Sequence, residues 1–164
     1  MGLKDIKLGK SIDEIQEGDS LTVTEIIEDK DILLYLGLTN DGNPLYIQHD
    51  YSQTTRFHKP IVPTVLLVGI LTSNVSKHLP GPGSHIVDVS LNVIEPIYHN
   101  NMITFNFEVE RVDERRQQVT ISVVGTNMEN ERALDAELIV DTPRTLIFDA
   151  AEHVIMNERP QLAH

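Results

Sequence analysis

The second half of this chain alternates between apolar and polar residues over four successive stretches, and this alternation limits the fold more than any other feature. Successive side chains of a β-strand point to opposite faces, so each stretch predicts a strand with one apolar face. The apolar positions of the four predicted strands are Val87, Val89, Leu91 and Val93; Ile103, Phe105, Phe107 and Val109; Val119, Ile121 and Val123; and Leu134, Ala136, Leu138 and Val140. Connections rich in turn-forming and charged residues separate them, which predicts an antiparallel meander.

A sheet with one apolar face must bury that face against another element. Residues 60–76 carry no charge but fall short of the ~20 residues of a membrane span, so they favour a buried helix over about residues 62–77. Pro63 is expected in its first turn, where no backbone donor is lost. The sequence therefore predicts an α+β domain in which an antiparallel sheet wraps around a long central helix.

Three further elements are predicted upstream of this helix. Residues 21–26 alternate well enough for another strand. Asp29 is a candidate N-cap for a helix that carries Ile32, Leu33, Tyr35 and Leu36. Residues 40–44, Asn-Asp-Gly-Asn-Pro, are dense in turn formers and predict a loop.

The charge balance restricts the partners of the chain. A formal net charge of −12 argues against a general nucleic-acid binder, because phosphate backbones require a basic face. A small phosphate-bearing ligand needs only a local basic patch, and solvated surface charge is the alternative interpretation of each candidate patch. These patches are Arg56, His58 and Lys59, and Arg115 with Arg116.

The chain contains no cysteine, which excludes a disulfide framework, a zinc–thiolate site, an iron–sulfur cluster and a cysteine nucleophile. This composition and the lack of an apolar signal-peptide core in residues 1–10 fit a cytoplasmic protein. No nucleotide-binding or serine-hydrolase motif occurs, so we expect no cofactor. We expect no metal either, because the histidines outside the candidate site lack ligand spacing. We expect these histidines at the surface or in loops: His78, His85, His99, His153 and His164.

Two segments carry a resemblance to a known family. Residues 39–46, Thr-Asn-Asp-Gly-Asn-Pro-Leu-Tyr, and residues 56–62, Arg-Phe-His-Lys-Pro-Ile-Val, resemble the signature of the MaoC-like (R)-specific enoyl-CoA hydratases. That signature has an aspartate in a turn, Asn-Pro, a histidine five residues after the aspartate, and a Pro-Ile/Val step into the central helix. Leu-Pro-Gly-Pro-Gly at residues 79–83 resembles the family's next loop, and the resemblance extends over roughly residues 17–141.

The resemblance implies a hotdog fold that dimerises, formed by residues 1–141, with residues 142–164 as an extension of unknown role. It also implies a tunnel for an acyl chain on a pantetheine arm, and hence acyl-CoA or acyl carrier protein thioesters as partners. Family members add water to 2-enoyl thioesters or remove it from 3-hydroxyacyl thioesters. Their aspartate and histidine hold the water, and a backbone N–H at the start of the central helix polarises the thioester carbonyl. The protein partner it implies is a second copy or a related hotdog subunit.

Transferred to this chain, the resemblance puts Asp41 at the catalytic aspartate and Tyr46 at the histidine. Pro63-Thr64 replaces the family's His-Gly pair. The candidate substrate-binding residues are Asn43, which also shapes the loop, Thr64 through its amide, and Thr72 at a site-lining position. His49 is a candidate surrogate base, since its spacing from Tyr46 puts both on one face if the segment is helical.

The replacement of histidine by tyrosine leaves two hypotheses open. A tyrosine with its unperturbed pKa of ~10, against ~6.5 for histidine, stays protonated at neutral pH, and losing a positioned general base costs about 10²–10⁴ in rate. The chain is therefore either a hydro-lyase working through Asp41, or a binding module that holds acyl thioesters, for example as the inactive subunit of a hetero-oligomeric dehydratase. A thioesterase on the same fold is a weaker third reading, because the loop signature is hydratase-like.

Overall fold

Five antiparallel strands form a single sheet in the order β1-β3-β4-β5-β2 in the computed structural model, which describes residues 7–144. A 3-10 turn, Ile12–Glu14, precedes the first strand. The strands are β1 (Ser20–Ile26), β2 (His85–Val93), β3 (Met102–Asp113), β4 (Gln118–Thr126) and β5 (Arg132–Asp141). The helices are α1 (Asp29–Thr39), α2 (Pro44–Ile47), α3 (His49–Gln53) and α4 (Thr64–His78), all inserted between β1 and β2.

All four predicted strands of the second half are confirmed, but the predicted four-strand meander is wrong. Only β3, β4 and β5 follow one another in the sheet, while β2 pairs with β5 at the far edge. The connection between β2 and β3 is not a tight hairpin. It crosses to the segment before α4. There Val62 N donates to Ile97 O at 2.7 Å, and Ile61 forms a β-bridge with Tyr98. The side chain of Ile97 is buried. Burying Ile97 there prevents β2 and β3 from becoming neighbours.

The core lies between α4 and the apolar face of the sheet, as the alternation predicts. Leu67, Leu71 and Val75 repeat at a spacing of four residues along α4 and are at most 1% exposed. They belong to one buried cluster with sheet residues that include Phe105, Phe107, Ile121, Leu134 and Leu138. The predicted central helix over residues 62–77 is thus confirmed, with its start two residues later.

Only one face of α4 is buried within the single chain. Val65, in the first turn, is 62% exposed although the whole segment is uncharged. Pro63 lies before the first turn as the N-cap, not inside the turn as expected. Among residues 7–144, no helix is both long and apolar enough to cross a membrane.

Asp29 does not cap α1, contrary to the sequence prediction. Glu28 is the N-cap, and its backbone N–H is bound by the carboxylate of Asp31 at 2.9 Å. Asp31 is the third residue of the helix, the position from which a side chain most easily reaches back to the backbone N–H of the N-cap residue. The carboxylate of Asp29 is therefore free to accept hydrogen bonds from His99 and Asn100 in the connection before β3.

The chain continues past β5 along the β3–β4 turn. Thr142 is buried, and both its N–H and its hydroxyl donate to Gln117 O, at 3.0 and 3.1 Å. Residues 145–164, including the stretch at 146–155 that reads as an amphipathic helix or strand, lie outside the described residues.

We expect Leu71→Ala to destabilise the protein far more than Leu38→Ala. Both leucines lie in helices, but Leu71 is completely buried and Leu38 is 88% exposed. Emptying a buried leucine site costs about 2–5 kcal/mol, whereas an exposed substitution stays within about 0.5 kcal/mol. Urea unfolding of the two variants checks this, and equal midpoints would contradict the assigned core.

Candidate active site

Two consecutive side-chain turns shape the segment between α1 and α2. Helix α1 ends at Asn40, which adopts the left-handed conformation (φ 54°, ψ 32°) that asparagine tolerates. The Oδ1 atom of Asp41 then accepts from Asn43 N at 3.2 Å, and Asn43 Oδ1 accepts from Leu45 N at 3.0 Å. The predicted loop is confirmed for residues 40–43, and Pro44 is the first residue of α2, where its missing N–H costs nothing.

The turn directs Asp41 back towards α1. The hydroxyl of Tyr35 donates to Asp41 Oδ2 at 3.1 Å, so both carboxylate oxygens of Asp41 accept a hydrogen bond. Burial first, and then this hydrogen bond, raise the pKa of Tyr35 above its usual range. The sequence pattern places Tyr35 in a helix but does not predict this contact. The feature that could have indicated it is a tyrosine six residues before the aspartate, with the end of α1 between them.

Tyr46 and His49 line one cavity of about 210 Å³. The two residues do not share a helix, because α2 ends at Ile47 and Gln48 has an extended conformation (φ −105°, ψ 103°) before α3 begins. The cavity brings them together nevertheless. Its full lining is Asp29, Ile32, Leu33, Tyr46, Ile47, His49, Pro60 and His99. The other candidate residues, Asp41, Asn43, Thr64 and Thr72, are not part of this lining.

His99 also lines this cavity, a role that the sequence did not predict, although it lies in the connection between β2 and β3, in line with the expected surface or loop position. Its side chain is only 14% exposed. Its Nδ1 atom lies 3.1 Å from Asp29 Oδ1, and its Nε2 atom lies 3.3 Å from Ile61 O. His99 therefore ties the start of α1 to the segment that leads into α4. Its position depends on the crossover between β2 and β3, which local sequence patterns do not show.

The start of α4 offers unpaired backbone donors. The first N–H groups bonded within the helix are those of Leu66 and Leu67, which donate to Pro63 O at 3.0 and 3.3 Å. The N–H groups of Thr64 and Val65 precede them and have no acceptor within the helix. Thr72 lies two turns further on, where its hydroxyl donates to Gly69 O at 3.2 Å.

The cationic segment before α4 lies over aromatic rings. The Arg56 guanidinium is 4.8 Å from the ring centroid of Phe57, and Lys59 Nζ is 5.8 Å from that of Tyr98. The Tyr98 hydroxyl donates to Phe57 O at 3.1 Å, which fixes this segment against the β2–β3 connection. In the part of the chain that the structure describes, no group of three or more histidine, aspartate or glutamate residues is arranged to hold a metal ion.

Comparison with solved structures identifies the fold. The (R)-hydratase from A. caviae involved in PHA biosynthesis superposes with a TM-score of 0.75 at 24% identity, over 79% of this chain and 98% of that one. The R-hydratase PhaJ1 from Pseudomonas aeruginosa gives 0.76 at 21% identity, over 95% and 97%. The protein has the hotdog fold, as the resemblance implied.

Sequence comparison identifies the family. Residues 8–131 match the MaoC like domain. An (R)-specific enoyl-CoA hydratase from Rhodospirillum rubrum is 32% identical over 114 residues, which cover 70% of this chain and 79% of the relative. This chain belongs to the MaoC-like domain family.

We expect Asp41→Asn to lower the pKa of Tyr35 part of the way towards its ordinary value. The variant removes the charged acceptor that favours the protonated phenol, while the burial that raises the pKa most strongly remains. Titration of the tyrosine ring carbons by NMR measures the shift. Tyr98, which donates to a backbone carbonyl, is the internal control and should titrate unchanged.

Proposed function

We propose that the protein catalyses the reversible hydration of 2-enoyl thioesters to 3-hydroxyacyl thioesters, with acyl-CoA or acyl carrier protein thioesters as substrates. The observation that carries the proposal is the cavity lined by Tyr46 and His49, two residues that follow the Asp41 turn along the sequence of a chain of this family. A phenol, two imidazoles and a carboxylate in one small cavity are groups suited to proton transfer. The hydratase relative from Rhodospirillum rubrum supports the same reaction class.

In the proposed reaction, water attacks C3 of the enoyl group and C2 receives a proton. Asp41 holds the water, accepts its proton and passes that proton to C2, so that one water molecule is added across the C2–C3 double bond. The thioester oxygen gains negative charge as the enolate forms, and the free N–H groups of Thr64 and Val65 at the start of α4 are suited to stabilise that charge. Thr72 and Asn43 are the further substrate-binding residues in this proposal. Asn43 also fixes the turn that presents Asp41.

Tyr46 takes the place of the family's catalytic histidine in this proposal. Its phenol is suited to hold the attacking water as a donor, while His49 in the same cavity is the candidate surrogate base. Histidine is the side chain whose ordinary pKa is nearest to neutral pH, so it is the better base of the two.

A second function, acyl-thioester binding without efficient catalysis, is favoured by one specific observation. Both oxygens of Asp41 already accept hydrogen bonds within the protein, from Asn43 N and Tyr35 Oη. A carboxylate held in this way also serves as a purely structural turn residue. Such a protein would act as an acyl-CoA-binding module or as the inactive subunit of a hetero-oligomeric dehydratase.

The rate of crotonyl-CoA hydration separates the two functions. If Tyr46 has replaced the catalytic histidine, we expect a wild-type rate about 10²–10⁴ below that of an enzyme with the complete dyad, and an increase in Tyr46→His. Asp41→Asn should abolish the remaining rate. His49→Ala tests the surrogate base, with His85→Ala on the exposed β2 edge as the matched control.

A wild-type rate equal to that of a complete dyad would contradict the binding-module function. Loss of activity in Asp41→Asn but not in His49→Ala would then assign the base to the aspartate alone. No hydration in the wild type or in Tyr46→His, together with measurable binding of a non-hydrolysable acyl-CoA by calorimetry, would favour the binding module instead.

We also propose that the protein dimerises, as a homodimer or with a related hotdog subunit. The outer edge of β2 has no neighbouring strand among residues 7–144, and its apolar residues Val87 and Val93 are 48% and 37% exposed. Pairing two such edges would satisfy their backbone groups and protect them from aggregation. Val65 on the open face of α4 would gain cover in the same assembly if the two helices approach each other.

Light scattering at micromolar concentration should give about 37 kDa, which is twice the chain mass of 18.5 kDa. A Val87→Lys variant should shift the mass towards the monomer, because a charge on the pairing edge opposes edge-to-edge association. The control is Glu110→Lys at an exposed position of β3. Val124→Lys would not serve as a control, because it places a charge on the central strand β4. A wild-type monomer would contradict the proposal of a homodimer.

A further inference from the structure

We infer that Tyr35 is a positioning residue for Asp41, and that it supplies in this chain the hydrogen bond that holds the carboxylate for reaction. This inference rests on the proposed hydration reaction and adds a residue to it. Tyr35 lies on α1, outside the loop signature, and its only link to the chemistry is its contact with Asp41.

The geometry fixes the carboxylate of Asp41 from two sides. Asn43 N donates to Oδ1 at 3.2 Å from the loop that follows, and the Tyr35 hydroxyl donates to Oδ2 at 3.1 Å from the helix that precedes. Asn40, in the left-handed conformation, changes the direction of the chain between Tyr35 and Asp41. This change allows the Tyr35 hydroxyl to reach the carboxylate of Asp41. Each donor alone would leave rotation about the side-chain bonds, whereas the pair restricts the carboxylate to one orientation.

Two hydrogen bonds do not saturate Asp41. An ionised carboxylate offers about four lone-pair sites, so about two remain for a water molecule. The arrangement therefore keeps Asp41 oriented and still able to accept the proton of the attacking water.

Tyr35 is the donor in this contact. Its raised pKa means that the phenol carries its proton at neutral pH, and the proximity of Tyr46 contributes to that shift. Tyr35 and Tyr46 therefore have separate roles. Tyr35 contacts Asp41, while Tyr46 lines the cavity with His49.

The chain provides a matched control for removal of this hydroxyl. Tyr98 also donates through its phenol at 3.1 Å, but to the backbone carbonyl of Phe57. Tyr35→Phe and Tyr98→Phe each delete one half-buried hydroxyl of the same kind and bond length. Only Tyr35→Phe removes a donor from a carboxylate that takes part in the proposed reaction.

The test is a double-mutant cycle of Tyr35→Phe and Asp41→Asn, measured by crotonyl-CoA hydration. We expect Tyr35→Phe to lower kcat about 10–100-fold, the usual effect of one hydrogen bond to a charged group, with KM changed by less than about 2-fold. Adding Tyr35→Phe to Asp41→Asn should cause no further loss, because Tyr35 acts through Asp41. Tyr98→Phe should leave kcat near the wild-type value.

The split between kcat and KM gives a readout that distinguishes positioning from a purely structural role. A contact that orients the reacting carboxylate acts on kcat, so Tyr35→Phe should lower kcat and leave KM nearly unchanged. A general loosening of the site would change KM as well.

The outcomes distinguish this inference from the proposed function. An unchanged kcat in Tyr35→Phe, with strong loss in Asp41→Asn, would overturn the role of Tyr35 and leave the hydratase function standing. If the wild type shows no hydration at all, the proposed function and the positioning role both fall. In that case the NMR titration of Tyr35 in Asp41→Asn still shows whether the two residues form a pair.

Discussion

The packing of α4 against the apolar face of the sheet is the interaction on which the rest of this structure depends. Buried and more exposed positions alternate over most of β3, β4 and β5, so the sheet has an apolar face that needs a cover. Leu67, Leu71 and Val75 supply that cover along one stripe of the helix. Because this contact fixes where α4 begins, it also fixes the position of the backbone donors at Thr64.

The region between β1 and α4 contributes Ile27 and Ile32 to the core and is further held by polar contacts. Side-chain turns at Asp41 and Asn43 determine the course of the chain from α1 to α2, and the Asp29–His99 contact ties α1 to the connection before β3. Apolar residues of α1 such as Leu34 and Leu38 remain exposed at 72% and 88%. A site with this construction is shaped by a few directional bonds, each of which can be tested by a single substitution.

This construction also holds the carboxylate of Asp41 by a hydrogen bond from outside the loop signature. The resemblance assigns the histidine position to Tyr46, but the hydroxyl that contacts Asp41 belongs to Tyr35. The histidines of the local environment, His49 and His99, lie around the neighbouring cavity. The proposed chemistry is thus distributed over α1, the loop, α3 and the β2–β3 connection, and it does not reside in the loop signature alone.

The sequence by itself determined the strands, the central helix and the turn at residues 40–43. These features depend on side-chain period, charge and local hydrogen bonds, which act within a few residues. The resemblance in residues 39–46 and 56–62 led to the hotdog fold. The edge position of β2, the contact of Tyr35 with Asp41 and the burial of His99 were decided by the tertiary structure. Each joins segments whose approach depends on how the chain crosses the sheet or leaves a helix, and such contacts leave no periodic pattern in the sequence.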